Sequence, residues 1–75
     1  MIDKYKGLRN EDIAALIDSY IRGRNAERNR RILKMRLIDG MTFEHLAETV
    51  DMSERQVKSI VYNGELILVS HIKTD

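Results

Sequence analysis

The connection between two short amphipathic segments in the middle of this 75-residue chain constrains its fold most strongly. Residues 43–50 and the segment that follows Ser53 both place apolar side chains at helical spacing, and only residues 51–53 separate them. Thr42 and Ser53 are favourable N-cap residues, and Gln56 completes an S-x-x-Q capping box with Ser53. The pattern therefore predicts two helices that meet at a sharp angle, a helix-turn-helix unit.

Glycines and the absence of proline delimit two earlier helices. Gly23 and Gly40 are placed to end helices, because the left-handed residue after a last helical turn is usually Gly. Asn10 and Asn25 are suitable N-cap residues for the segments that follow them. We therefore predict that residues 1–75 form one all-α domain, a small four-helix fold that contains the helix-turn-helix. The four predicted helices are 11–22, 26–39, 43–50 and 54–70.

Composition excludes several classes of function. The chain has no Cys, and its two His, His45 and His71, lie far apart without carboxylates at ligand spacing, so we expect no metal site and no cofactor. No glycine-rich phosphate loop or nucleophile elbow is present, which argues against an enzyme. Residues 1–10 lack the apolar core of a signal peptide, and the longest aliphatic run, residues 66–69, is too short for a membrane span. A cytoplasmic protein without membrane contact is expected.

Positive charge is concentrated in the second predicted helix. The formal net charge of the chain is only +1, but residues 23–40 hold six basic side chains against Glu27 and Asp39. We refer to these bases as the basic block: Arg24, Arg28, Arg30, Arg31, Lys34 and Arg36. They are expected to project outward while apolar residues such as Ile32 and Leu33 face the core. The basic block is then either a solvated face or a surface that touches phosphates.

The polar face of the last predicted helix is the candidate functional surface. At about 100° per residue, this face lies opposite an apolar face that includes Val57. Arg55 could read guanine, and Gln56 or Asn63 could read adenine, whereas Lys58 and the capping hydroxyl groups suit phosphates. The alternative is an ordinary solvated face. The candidate contacts with double-stranded DNA are Thr42, Ser53, Arg55, Gln56, Lys58, Ser59, Tyr62 and Asn63.

The aliphatic segment at the end of the chain raises a separate question. Leu66 and Val69 fall on the side of the helix that is polar before residue 64. Either the helix breaks at Gly64, with a short strand as a further alternative, or an apolar patch opens beyond it. Such a patch usually marks an interface, so we predict a homodimer through Leu66, Val69 and Ile72, with two reading helices about one DNA turn apart. The same residues could instead pack on the first helix.

The run "RRILKMRLIDGMTFEHLAETVDMSERQVKSIV", residues 30–61, resembles region four of bacterial sigma factors, the domain that reads the promoter −35 element. The resemblance implies that the helix after the turn enters the major groove and that the preceding pair supports it. It also implies DNA contacts at the positions of Ser53, Glu54, Arg55, Gln56, Lys58 and Ser59. Two features differ from the family: Asp51 stands where Gly is usual, and only Arg55 and Lys58 are basic in this segment.

The predicted function is that of a sequence-specific DNA-binding transcriptional regulator of a bacterium or its phage. The alternative is a protein-interaction module that docks on RNA polymerase or on another regulator without strong DNA binding. The modest charge of the last helix and the aliphatic tail favour this alternative, and the paired helix caps and the turn favour DNA binding.

Overall fold

The computed structural model describes residues 7–72, and these residues contain four α-helices. They are α1 (Asn10–Tyr20), α2 (Ala26–Leu37), α3 (Phe43–Val50) and α4 (Glu54–Ser70). The predicted all-α fold is therefore confirmed, and α3 and α4 begin and end where the sequence predicted. No helix within residues 7–72 combines the length and the apolar character that a membrane span requires.

Helices α1 and α2 each end two residues earlier than predicted. Ile21 follows α1 in an extended conformation (φ −88°, ψ 100°), which turns its side chain into the core at 4% exposure. After α2 the last helical turn widens. The Asp39 N–H donates to the carbonyl of Lys34, which lies five residues back instead of the four of an α-helix. Gly23 and Gly40 have φ of 96° and 70°, so both reverse the chain just beyond the helix ends.

Of the two predicted N-cap residues, Asn25 occupies the N-cap position of α2 and Asn10 does not occupy that of α1. Asn10 lies inside α1, and Arg9 is the N-cap, with its backbone N–H donating to the Asp12 carboxylate at 3.0 Å. Asn25 does precede α2, but its side chain makes no capping hydrogen bond. Its backbone is left-handed (φ 61°, ψ 24°), because the chain reverses there between α1 and α2. A capping side chain normally acts from an extended backbone, which Asn25 does not have.

A single apolar core lies between the four helices. Its buried members are Ile13, Ile17, Ile21, Ile32, Leu33, Leu46, Ala47, Val57, Val61 and Leu68. Helix α4 contributes a stripe at four- and three-residue spacing that runs through Gly64 to Leu68. The helix therefore neither breaks at Gly64 nor gives way to a strand. Beyond its last turn, the exposed His71 ring stacks on Tyr20 of α1, with ring centroids 3.7 Å apart.

The basic block does not form one outward face, as the sequence had suggested. Arg30, Lys34 and Arg36 are half-buried. The Arg30 Nε donates to the carbonyl of Ile21 at 2.7 Å, and the Lys34 Nζ lies 2.8 Å from the Asp18 carboxylate. These contacts tie α2 to α1, so this part of the block has a structural role. The other three bases of the block are exposed: Arg24, Arg28 and Arg31.

Candidate nucleic-acid interface

The turn between α3 and α4 is closed by backbone hydrogen bonds. The Met52 N–H donates to the Ala47 carbonyl at 3.0 Å, and the Asp51 N–H donates to the Glu48 carbonyl at 3.4 Å. This pair of bonds is the Schellman arrangement, which requires a left-handed residue at the position that Asp51 occupies. Asp51 has φ 55° and ψ 51°, so it adopts this left-handed conformation. The turn therefore sets the direction in which α4 leaves α3.

Side-chain caps fix the first turn of both helices. The Gln56 N–H donates to the Ser53 hydroxyl at 3.2 Å, and the Gln56 side-chain carbonyl accepts from the Ser53 N–H at 3.1 Å and from its hydroxyl at 3.2 Å. The predicted capping box is thus confirmed. At the start of α3, the Thr42 hydroxyl accepts from the His45 N–H at 3.1 Å. Both entry angles of the helix-turn-helix are therefore held by local hydrogen bonds.

The capping box also limits what Gln56 can do on DNA. Its side-chain carbonyl oxygen already accepts two hydrogen bonds from Ser53. A bidentate contact with adenine needs that oxygen as well as the amide nitrogen. Gln56 therefore reads a base in this way only if the box opens, and Asn63 is the better candidate for an adenine contact.

The N-terminal half of α4 presents a continuous polar face. Its members are exposed and line one shallow groove: Arg55, Lys58, Ser59, Tyr62 and Asn63. On the opposite side of the helix, Val57 and Val61 are fully buried. The structure thus brings together five of the eight predicted DNA-contact residues, which we call the reading face. The other three, Thr42, Ser53 and Gln56, are exposed at the starts of α3 and α4.

Phe43 organises one edge of the reading face. The Arg36 guanidinium lies 4.2 Å from the centroid of its ring, and the Lys58 Nζ lies 5.7 Å from it. Tyr62 meets the same ring edge-on, with centroids 5.9 Å apart and an interplanar angle of 72°. An Arg36 N–H also donates to the carbonyl of Met41 at 2.7 Å. One ring therefore positions side chains from α2 and α4 beside the start of α3.

Sequence reasoning missed the roles of Phe43 and Arg36. By helical spacing, Phe43 shares one side of α3 with Leu46 and Val50, and this pattern does not indicate its contacts with cations. The contact between Arg36 and Phe43 crosses the turn between α2 and α3, and no local pattern encodes it. One signal was present: Lys58 and Tyr62 are four residues apart on α4 and so share a side of the helix.

Carboxylates moderate the positive charge of this surface. Glu44 and Glu54 occupy the first turns of α3 and α4, where their negative charge interacts favourably with the helix dipole. Their negative charge partly offsets the attraction for phosphates that comes from the cations of Arg36, Arg55 and Lys58. Within residues 7–72, no group of three His, Cys, Asp or Glu side chains could hold a metal ion.

An apolar stripe continues the reading face toward the end of α4. Tyr62, Leu66 and Val69 are 55%, 71% and 37% exposed, and we call these three residues the outer stripe. Leu68, by contrast, is fully buried in the core. Ile72 is half-buried and lines a groove against α1, away from the outer stripe.

Comparison with known protein families places this geometry in context. The family model described as sigma-70, region 4 matches residues 26–64, just over half of the chain. The match includes α2, α3 and the first part of α4, and with them all eight predicted DNA-contact residues. Helix α1, Leu66 and Val69 lie outside it. Neither a curated protein nor a solved structure gives a significant match.

Proposed function

Because the chain belongs to the sigma-70 region 4 family, a non-enzymatic helix-turn-helix domain type that binds DNA, we propose that it is a sequence-specific transcriptional regulator of a bacterium or its phage. In this proposal the N-terminal half of α4 enters the major groove of double-stranded DNA. One observation carries the proposal. The reading face is exposed along two turns of α4, while the opposite face of the same turns is buried and the start of the helix is held by caps.

The dimensions of the reading face suit the major groove. An α-helix with its side chains is about 10–12 Å across, close to the width of about 12 Å of that groove. From Arg55 to Asn63 the helix rises about 12 Å, the length of three to four base pairs. Arg55 lies in the first turn, where recognition helices contact base edges, and can donate two hydrogen bonds to guanine. Asn63 is placed to pair with adenine at the other end.

Phosphate contacts come from the edges of this surface. Lys58 and Arg36 flank Phe43, and both carry positive charge toward the start of α3. The exposed hydroxyl groups of Thr42 and Ser53 lie at helix starts, a common place for contacts with the DNA backbone. With few cations involved, a single copy binds weakly at physiological salt and more tightly as salt is lowered.

A selection from randomised duplexes, followed by fluorescence anisotropy at stated salt, tests the proposal. Arg55→Ala should weaken binding to the selected duplex about tenfold or more and relax its sequence preference. Lys34→Ala is the matched control, because Lys34 pairs with Asp18 of α1. Its effect on DNA binding should be small. If the two substitutions weakened binding equally, binding would depend only on nonspecific charge, and the proposal would be contradicted.

Protein docking is the second candidate function, and the exposed outer stripe is the observation that favours it. In this case the chain would dock on RNA polymerase or on another regulator, with DNA contact minor. Arg55→Ala separates the two functions. Retention on DNA at low salt that is unchanged by the substitution would favour docking, whereas loss of retention with partner binding intact would favour DNA recognition.

A further inference from the structure

Tyr62 is the one aromatic residue of the reading face. Its side chain is 55% exposed, whereas the other four residues that line the same groove are polar or charged: Arg55, Lys58, Ser59 and Asn63. Seven residues return to within about 20° of the same side of a helix, so Tyr62 projects from α4 in the direction of Arg55. If Arg55 meets the edges of bases, the ring of Tyr62 therefore meets them too.

The Tyr62 ring is oriented before any DNA binds. The Phe43 ring of α3 packs against it, with centroids 5.9 Å apart and an interplanar angle of 72°. Edge-to-face pairs of this kind stabilise beyond the area that they bury, and a tyrosine side chain has only two torsion angles to fix. Phe43 is itself held between cations of α2 and α4, those of Arg36 and Lys58. More than half of the Tyr62 side chain nevertheless stays free for a contact.

We propose that Tyr62 is a specificity-determining residue that reads thymine, through contact between its ring and the C5-methyl group of the base. This methyl group is the apolar group that a base pair presents in the major groove, and proteins read it with apolar side-chain surface. The inference rests on the proposed DNA-binding function, because it requires α4 to lie in that groove.

The neighbours of Tyr62 indicate where this thymine lies. Asn63 is placed to pair with adenine, and the thymine opposite that adenine presents its methyl group in the same groove. Tyr62 and Asn63 are about 100° apart around the helix, so they reach toward different strands. From Arg55 to Tyr62 the helix rises about 10 Å, the length of three base pairs. We therefore expect the thymine about three base pairs from the guanine that Arg55 contacts.

The hydroxyl group of Tyr62 offers a different contact, a hydrogen bond to a phosphate or to a base edge. A hydroxyl group that leaves water for such a partner exchanges one hydrogen bond for another, so its net gain is small. Contact between the ring and a methyl group instead removes apolar surface of both from water. The exposed, oriented ring therefore favours the methyl group as its partner.

Replacement of thymine by uracil in the selected duplex tests the proposal, because uracil lacks only the C5-methyl group. Each thymine is replaced in turn, and binding is measured by fluorescence anisotropy at low salt, where weakened variants still bind. For the parent, uracil at one position should weaken binding about fourfold, as the loss of one buried methyl group predicts. Tyr62→Ala should bind the two duplexes equally. Tyr62→Phe, which lacks only the hydroxyl group, should keep the fourfold difference.

Leu66→Ala is the matched control. Leu66 lies one turn beyond Tyr62 on nearly the same side of α4 and is 71% exposed, so the substitution removes another exposed apolar side chain. It should keep the difference between thymine and uracil that the parent shows. Each comparison is made between two duplexes with the same protein, so a general loss of stability in a variant affects both measurements alike.

Several results would overturn the proposal. If the selected duplex holds no thymine, or if uracil has no effect at any position, the methyl contact is absent although the proposed function stands. If Tyr62→Ala keeps the difference, or if Leu66→Ala abolishes it, another side chain contacts the methyl group. Loss of the difference in Tyr62→Phe would assign the contact to the hydroxyl group. If the chain selects no duplex at all, the proposed function itself fails, and this inference fails with it.

Discussion

Leu33 of α2 packs directly on the backbone of Gly64 in α4. A Cβ atom at residue 64 would lie 2.6 Å from Leu33 Cδ1 and 2.8 Å from Leu33 Cδ2. Leu33 is fully buried, so it cannot move aside without disturbing its neighbours in a close-packed core. The two helices therefore approach closely only because residue 64 has no side chain.

The first prediction is that Gly64→Ala destabilises the fold. Overpacking a core costs about 1–3 kcal/mol, and replacement of Gly by Ala inside a helix returns about 1 kcal/mol. The expected net loss of about 1 kcal/mol can be measured by urea unfolding. Asn63→Ala at the exposed neighbouring position should change stability by less than about 0.5 kcal/mol. Stabilisation by Gly64→Ala would mean that Leu33 relocates at no cost.

A second prediction concerns the left-handed residue of the turn. Asp51→Gly should raise the free energy of unfolding by about 0.5–1 kcal/mol, because Gly adopts φ 55° without the steric cost borne by Asp. Asp51→Ala should lower it, since Ala enters the left-handed region less readily than Asp does. Thermal or urea unfolding of the three proteins gives the order Gly, Asp, Ala. Any other order would contradict the assigned role of Asp51.

The third prediction separates capping by Gln56 from base reading. Gln56→Glu should keep the fold as stable as the parent or more so, because a carboxylate accepts the same hydrogen bonds and lies at the positive end of the helix dipole. Its added negative charge should weaken DNA binding. Gln56→Ala should cost about 0.5–1 kcal/mol in urea unfolding and leave the sequence preferred in a duplex selection unchanged. A changed preference would make Gln56 a base reader.

Phe43 supplies the fourth prediction. Phe43→Leu keeps an apolar side chain but removes the ring against which Arg36, Lys58 and Tyr62 are arranged. Since cation–π contacts at exposed sites contribute about 0.5–1 kcal/mol each, DNA affinity should fall about three- to tenfold. Anisotropy at low salt measures the loss. Met41→Leu is the control from the same turn, and a similar loss there would indicate general loosening instead of lost positioning.

The fifth prediction uses salt to sort contacts. Lys58→Ala should reduce the slope of log affinity against log salt by about 1 and weaken binding to all sequences alike. Arg55→Ala should instead cost about 1–3 kcal/mol on the selected duplex and much less on others. Anisotropy titrations at several salt concentrations distinguish the two. If the two variants showed the opposite behaviour, Lys58 would be the base-reading residue and Arg55 the phosphate contact.

Local signals predicted the helix-turn-helix almost completely. The bounds of α3 and α4, the capping box at Ser53 and the left-handed Asp51 all follow from side chains within a few residues of one another. The ends of α1 and α2 were harder to place, because Ile21 leaves the helix to reach the core, and that gain comes from distant partners.

Tertiary contacts account for most of what the sequence did not predict. Arg30 and Arg36 donate to carbonyl groups outside their own helix, of Ile21 and Met41, and nothing in the spacing of the basic block indicates such partners. The sequence does indicate which residues of the aliphatic segment are buried and which are exposed, once α4 is known to continue through Gly64. Leu68 then falls with Val57 and Val61 on the buried side.

The junction of residues 51–53 has a consequence for the DNA. The backbone N–H groups of Asp51, Met52 and Ser53 all donate hydrogen bonds within the unit, so torsion angles there cannot change without breaking one of them. Helices α3 and α4 therefore behave as a rigid body without a hinge. If the unit binds DNA as proposed, it cannot adjust to a poorly fitting duplex, and the duplex must deform instead. Base steps that kink easily should then be favoured even at positions that no side chain touches.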